Sequence, residues 1–233
     1  MFKRTMIATL VATATVLSAG VASASPVTVT LHNTSESFGI KYASVFDGVN
    51  LNATVTFQLT QPLTATNALL GVKIVNNSFG LGNNRLTAFG IDTVAPTLTT
   101  ISDNSAEWAG FLGLTFSGGF QKVDLCAASG GQNCTGGAGG GVAEGGGTKS
   151  FVLDLTTSGN FLTSFISFTS PYAVKFQSVG SGSKSVEFAG CLTTDKSCVS
   201  TPPQEFNVPE PTSLALVGIT LFGAATATRR RKA

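Results

Sequence analysis

From Leu51 to Leu59 the chain alternates without a break. Leu51, Ala53, Val55, Phe57 and Leu59 fall on one side, and Asn52, Thr54, Thr56 and Gln58 on the other. Successive side chains of a strand point to opposite faces, so this pattern predicts a strand with one face buried. Shorter runs of related character occur at Val27 to Leu31, Leu69 to Val75, Leu86 to Ile91, Phe151 to Leu155, Tyr172 to Phe176 and Ser185 to Phe188. Turn-forming residues separate them at Gly80 to Asn84, Thr93 to Pro96, Ser158 to Asn160 and Gly180 to Ser183. Many short strands with frequent punctuation predict an all-β fold, an antiparallel β-sandwich. Helical signals between the two ends are confined to Asp103 to Leu112, where Asp103 or Asn104 would cap one short helix and Glu107 would lie in its first turn. Gly118 to Gly147 holds twelve glycines in thirty residues and reads as a flexible surface loop, because so much chain entropy opposes regular packing.

Both ends depart from this pattern. Met1 to Ala24 joins Lys3 and Arg4 to an apolar stretch and then to Ala22-Ser23-Ala24, the three parts of a secretory signal peptide, with cleavage expected after Ala24. At the other end, Val208-Pro209-Glu210-Pro211 precedes an apolar run at 212–228, and Arg229, Arg230, Arg231 and Lys232 follow it. Leu214 to Thr228 carries no charge over fifteen residues, and a helix of that length rises about 22 Å against the ~30 Å of a bilayer core. The expectation is a short C-terminal transmembrane helix over 212–228, with its four cations on the cytoplasmic side and snorkelling to the interface. Pro211 suits the first position of that helix, and Pro209 disfavours helix in the residue before it. Glu210 then stands at a stiff membrane boundary open to a processing enzyme, so the anchor reads as temporary.

The tripeptide Pro209, Glu210, Pro211, the apolar run and the basic stop resemble the PEP-CTERM sorting signal of Gram-negative bacteria, which the membrane enzyme exosortase reads and cleaves. A looser resemblance, to the ectodomain pattern of PEP-CTERM proteins and their four-cysteine group called cistern, lies at Asn83 to Asp92. The resemblance implies export by the secretion machinery, a transient stay in the inner membrane and processing by exosortase. It then implies a cell-surface or extracellular location in association with exopolysaccharide or biofilm matrix. The positions it carries over are the tripeptide, the apolar run and the basic stop, and it carries over no catalytic residue. The organisation expected is a signal peptide at 1–24, a sandwich ectodomain at 25–207 and a sorting signal at 208–233.

Charge and cysteines sharpen this picture. The formal net charge of +2 belongs to the two ends, since residues 25–228 hold eight Lys and Arg against twelve Asp and Glu, a net charge of −4. A mildly acidic domain gives no electrostatic reason to bind nucleic acid. The four cysteines fall as Cys126 with Cys134 and Cys191 with Cys198, and an even count in an exported chain argues for disulfides. Three pairings are possible, of which the two local ones are favoured. A structural zinc site is disfavoured, because seven and six residues intervene within the pairs and His32, the sole histidine, is remote.

Catalytic patterns are not visible. Any Ser-His-Asp or Cys-His mechanism would have to use His32, which reads as a polar residue at a strand end. Asp92, Asp103, Glu107, Asp124 and Asp154 are ordinary in number and spacing for a β-rich domain, with no Asp-x-Asp-x-Asp loop for calcium. The glycine-rich segment lacks a phosphate-loop ending, since Thr148-Lys149 reverses the order that motif needs. The expectation is therefore no enzyme, no cofactor and no metal. Two function classes stand: a noncatalytic surface or matrix protein, and a carbohydrate-binding or carbohydrate-active module. The second would use Trp108, the sole tryptophan, or Tyr172 or an exposed Phe as an apolar platform, although core packing is the favoured role of Trp108.

Overall fold

The computed structural model describes residues 27–120, 122–130, 133–137, 140–181 and 184–196. Among these residues nearly all regular structure is antiparallel β, arranged as two six-stranded sheets. One sheet runs in the order β12 (Cys191–Leu192), β2 (Ser37–Phe46), β3 (Val49–Leu59), β4 (Asn67–Asn76), β9 (Gly147–Thr157), β6 (Leu98–Asp103). The other runs β1 (Val29–Leu31), β10 (Ile166–Val179), β5 (Gly82–Ala95), β8 (Lys122–Ser129), β7 (Trp108–Thr115), and β11 (Lys184–Ala189) also pairs with β10. A single helical turn, α1 (Phe161–Ser164), capped by the Asn160 side chain, links β9 to β10.

The alternation seen in the sequence becomes the interior of a sandwich. Val49, Leu51, Ala53, Val55, Phe57 and Leu59 of β3 are all 0 or 1% exposed. Aromatic rings join the two sheets: Phe57 meets Phe89 edge-on at 5.6 Å, Phe89 stacks on Trp108 at 6.1 Å, and Trp108 stacks on Phe151 at 5.4 Å. Each ring removes a large apolar area from water, and such ring pairs add attraction beyond the area term.

Two expectations are corrected. Asp103 to Leu112 is not a helix: β6 ends at Asp103 and β7 begins at Trp108. Asp103, one of the two residues expected to cap a helix, holds a turn together with Ser105, while Asn104 accepts from the Val152 N–H at 2.8 Å. Asp103 accepts from the Ser105 and Gly110 N–H groups at 3.1 and 3.2 Å, and Ser105 Oγ accepts from the Glu107 and Trp108 N–H groups at 3.2 and 3.1 Å. Such local bonds compete with helix, and the ladder from Trp108↔Ser129 to Thr115↔Lys122 decides the outcome.

The second correction concerns 118–147, which is not simply a flexible surface loop. It contains β8, whose Val123, Leu125, Cys126, Ala127 and Ala128 are 0% exposed between β5 and β7. Beyond β8 the chain is pinned again, since Val142 and Leu86 exchange backbone hydrogen bonds of 2.9 and 3.1 Å. Gly141 permits this approach: its φ is +92°, and a Cβ there would lie 2.5 Å from the Leu86 carbonyl oxygen. Buried Asn76 secures the same region, donating to the Asn84 and Val142 carbonyls at 2.8 Å each. The glycines therefore serve close backbone approach as much as freedom.

Candidate functional site

Trp108 has no ring face to offer a ligand. It is 2% exposed, packed between Phe89 and Phe151, and this corrects its candidacy as a sugar platform. Tyr172 is 4% exposed and donates its hydroxyl to the Val27 carbonyl at 3.1 Å. Cys126 and Cys134 form a disulfide with Cα atoms 5.9 Å apart, one of the two local pairings expected. Both are fully buried in a small second core on the outer face of the β5–β8 sheet, with Ala88, Phe116, Val123 and Ala173. Cys191 is disulfide-bonded as well, and Cys198 lies outside the described residues.

The carboxylates that looked scattered are partly brought together. Asp103 is spent on its turn. Glu107 pairs with Lys149 at 2.6 Å, and that ammonium holds its carboxyl below the ordinary range. Asp154 accepts from the Asn67 side chain. Asp92 and Asp124, however, become neighbours through the β5–β8 ladder, next to the pair Ile91↔Leu125. The Asp124 N–H donates to Asp92 Oδ1 at 3.1 Å, while Asp124 Oδ2 accepts from the Thr93 N–H at 3.0 Å and its hydroxyl at 3.2 Å. Burial pushes the Asp92 carboxyl above its ordinary range; the Asp124 N–H opposes this and the Asp124 charge adds to it. His32 stays apart, 2.9 Å from Glu36 Oε2 on an exposed turn, a polar residue just beyond β1. Among the described residues no group of three or more His, Cys, Asp or Glu is placed to hold a metal ion.

Asp124 opens onto a cleft of about 360 Å³ at the edge where β6 of one sheet faces β7 of the other. Thr93 and Val94 of β5, Leu98 of β6, Leu112 of β7, and Lys122 and Asp124 of β8 line it. Sequence reasoning missed this cleft because its walls come from four strands, of which it had recognised only β5. The signal available was the spacing of Lys122 and Asp124, two residues apart and thus on one face of a strand.

The sorting residues lie outside the described residues: Ala22 and Ala24 at one end, and Pro209, Glu210, Pro211, the 212–228 segment, Arg229, Arg230, Arg231 and Lys232 at the other. Among the described residues no helix is long and apolar enough to cross a membrane. The described chain runs out beside β2, where the Thr193 N–H donates to the Gly39 carbonyl at 2.8 Å, and ends at Lys196. Residues 207–232 match the family model of the PEP-CTERM protein-sorting motif. The chain is an exosortase substrate. Comparison with the curated proteins and with the solved structures finds no match. As an exosortase substrate the protein is exported, to the cell surface or the extracellular space. The motif lies beyond the sandwich in sequence, so it fixes destination and processing partner and leaves the sandwich's work to its own surface.

Proposed function

We infer that this exosortase substrate is a noncatalytic protein of the cell surface or extracellular matrix, associated with exopolysaccharide. The observation that carries the reading is the sorting motif at 207–232 placed behind an antiparallel sandwich. The surface chemistry supports it. Most outward positions at 52–58 of β3 and 150–156 of β9 carry amides or hydroxyls: Asn52, Thr54, Thr56, Gln58, Ser150 and Thr156. Hydroxyls and amides of this kind remain hydrated without strong charge and suit crowding within a polysaccharide gel. The carboxylates Asp103, Glu107 and Asp154 are engaged in a turn, an ion pair and a cross-strand bond, which supports a structural part for them. Fractionation of the matrix tests the reading. The processed protein should stay with washed exopolysaccharide and be released when the glycan is enzymatically degraded. Quantitative recovery in the first salt wash, with the polysaccharide still intact, would remove the association.

A further inference from the structure

The geometry points to the cleft between β6 and β7 as a binding site for a neutral sugar unit of that polysaccharide. This rests on the matrix reading and assigns it a place on the molecule. The cleft's volume, about 360 Å³, lies at the lower end of the range for small-ligand sites. Its lining is amphipathic in the way a pyranose is.

Val94 is 57% exposed, one of few large apolar side chains left in water among the described residues, and it shares the cleft with Leu98 and Leu112. These supply an apolar patch for the C–H face of a ring. Thr93, Thr97 and Thr99 supply hydroxyls around it. The polar pair at its centre sets the charge of the ligand. Lys122 and Asp124 stand about 7 Å apart along one face of β8. Among the described residues neither has an ion-pair partner. Asp124 Oδ2 is committed to Thr93, which fixes the carboxylate and leaves Oδ1 as an oriented acceptor. Lys122 crosses Gly113, where a Cβ would lie 2.9 Å from its Cε, so the ammonium projects over a wall cleared by glycine.

One fixed acceptor and one cationic donor sum to zero charge and are complementary to adjacent hydroxyls, one donating and one accepting. The lining's charges therefore match a neutral polymer, and Asp92, bonded to the Asp124 N–H behind the lining, opposes an anionic one further.

The cleft also lies away from the edge at which the described chain ends. The cleft is bordered by β6, whereas the chain leaves along β12, at the opposite edge of the same six-stranded sheet. Five strand spacings of about 4.8 Å separate those edges by roughly 24 Å, so β12 stands well away from the cleft.

The test uses processed protein purified from the culture medium, run in native gels containing dextran, galactomannan, a polyuronate or the producing strain's own exopolysaccharide. A neutral polysaccharide should retard the wild type. Lys122→Ala and Asp124→Asn should each weaken that retardation at least tenfold, and Glu107→Ala, on the Trp108 side of the sandwich, should leave it unchanged. Lys122 is exposed and Asn retains the acceptor that Thr93 needs, so neither variant should melt below the wild type. Retardation equal to wild type in both variants overturns the cleft while the matrix reading stands. Retardation only in the polyuronate overturns the neutral-sugar assignment. No retardation of the wild type in any gel overturns the cleft and the matrix reading together.

Discussion

At Trp108 the indole is an element of the interior, held between a ring of each sheet. Trp108→Ala removes that contact and leaves a cavity, at a cost of about 3 to 5 kcal/mol. Thermal unfolding should show the loss directly. Any change in polysaccharide retention by this variant should track the fraction unfolded and vanish at temperatures where the variant is fully native. Asp92 behaves in the opposite sense. Its carboxyl is raised above the ordinary range by burial, so the fold favours its protonated form. The stability this contributes is fully present below the ordinary carboxylate pKa and is lost as pH rises through the raised value. At pH 7 the ionised Asp92 therefore weakens the fold, and the neighbouring Asp124 charge deepens the effect. Asp92→Asn keeps an acceptor for the Asp124 N–H and removes a like-charge cross-strand contact. It should raise the melting temperature at pH 7 by roughly 1 to 2 °C, about 0.5 kcal/mol, and give no gain near pH 3. Equal gains at both values would show that charge is not the cause.

Among the elements, those whose two faces differ were legible in the sequence. β3 shows its buried face because each of its outward positions is polar or amide. β8 was hidden for a physical reason: it has no clean alternation, since Leu125 and Ala127 enter the main core while Cys126 and Ala128 enter the second one. A strand buried on both sides, flanked by glycines, resembles a loop when composition alone is read. β7 was mistaken for helix because Asp103 forms the same side-chain bonds at a tight turn as at a helix start. The carboxylate pair was invisible for a related reason, since Asp92 and Asp124 are 32 residues apart and meet only through the β5–β8 ladder. The disulfide belongs to this scale too, because it closes the cover over the outer face of β8. Replacing Cys126 and Cys134 together with alanine should lower stability by about 2 to 3 kcal/mol, roughly 5 to 10 °C in melting temperature. Both sulfurs are buried in the native fold. Reductant should therefore leave the bond intact below the unfolding transition, and thiol labelling of the folded protein under reductant would contradict the burial.

For the whole molecule, the sorting motif sets the chemical identity of the mature chain. Mass spectrometry of protein released from cells should place its C-terminus near Val208 to Pro211. Recovery of an intact Arg229 to Ala233 end on the extracellular form would overturn processing at that boundary. The mature chain should also run as an acidic protein, since the cations at 229–232 leave with the removed segment. Isoelectric focusing of the released form checks this against the precursor's pI of about 8.4.

β12 is only two residues long, yet it decides how a pull on the C-terminus enters the fold. The chain beyond Thr193 leaves along β2, with Cys191↔Lys41, Leu192↔Ile40 and the Thr193 to Gly39 bond in one line. A pull at Lys196 along that line loads these bonds at once rather than breaking them in turn, and the disulfide at Cys191 adds a covalent tie at the start of the strand. A pull across the line instead peels them one by one. Resistance to force is governed by the unfolding barrier, so mechanical strength here depends on the direction of loading and is greatest when the tether runs parallel to β2.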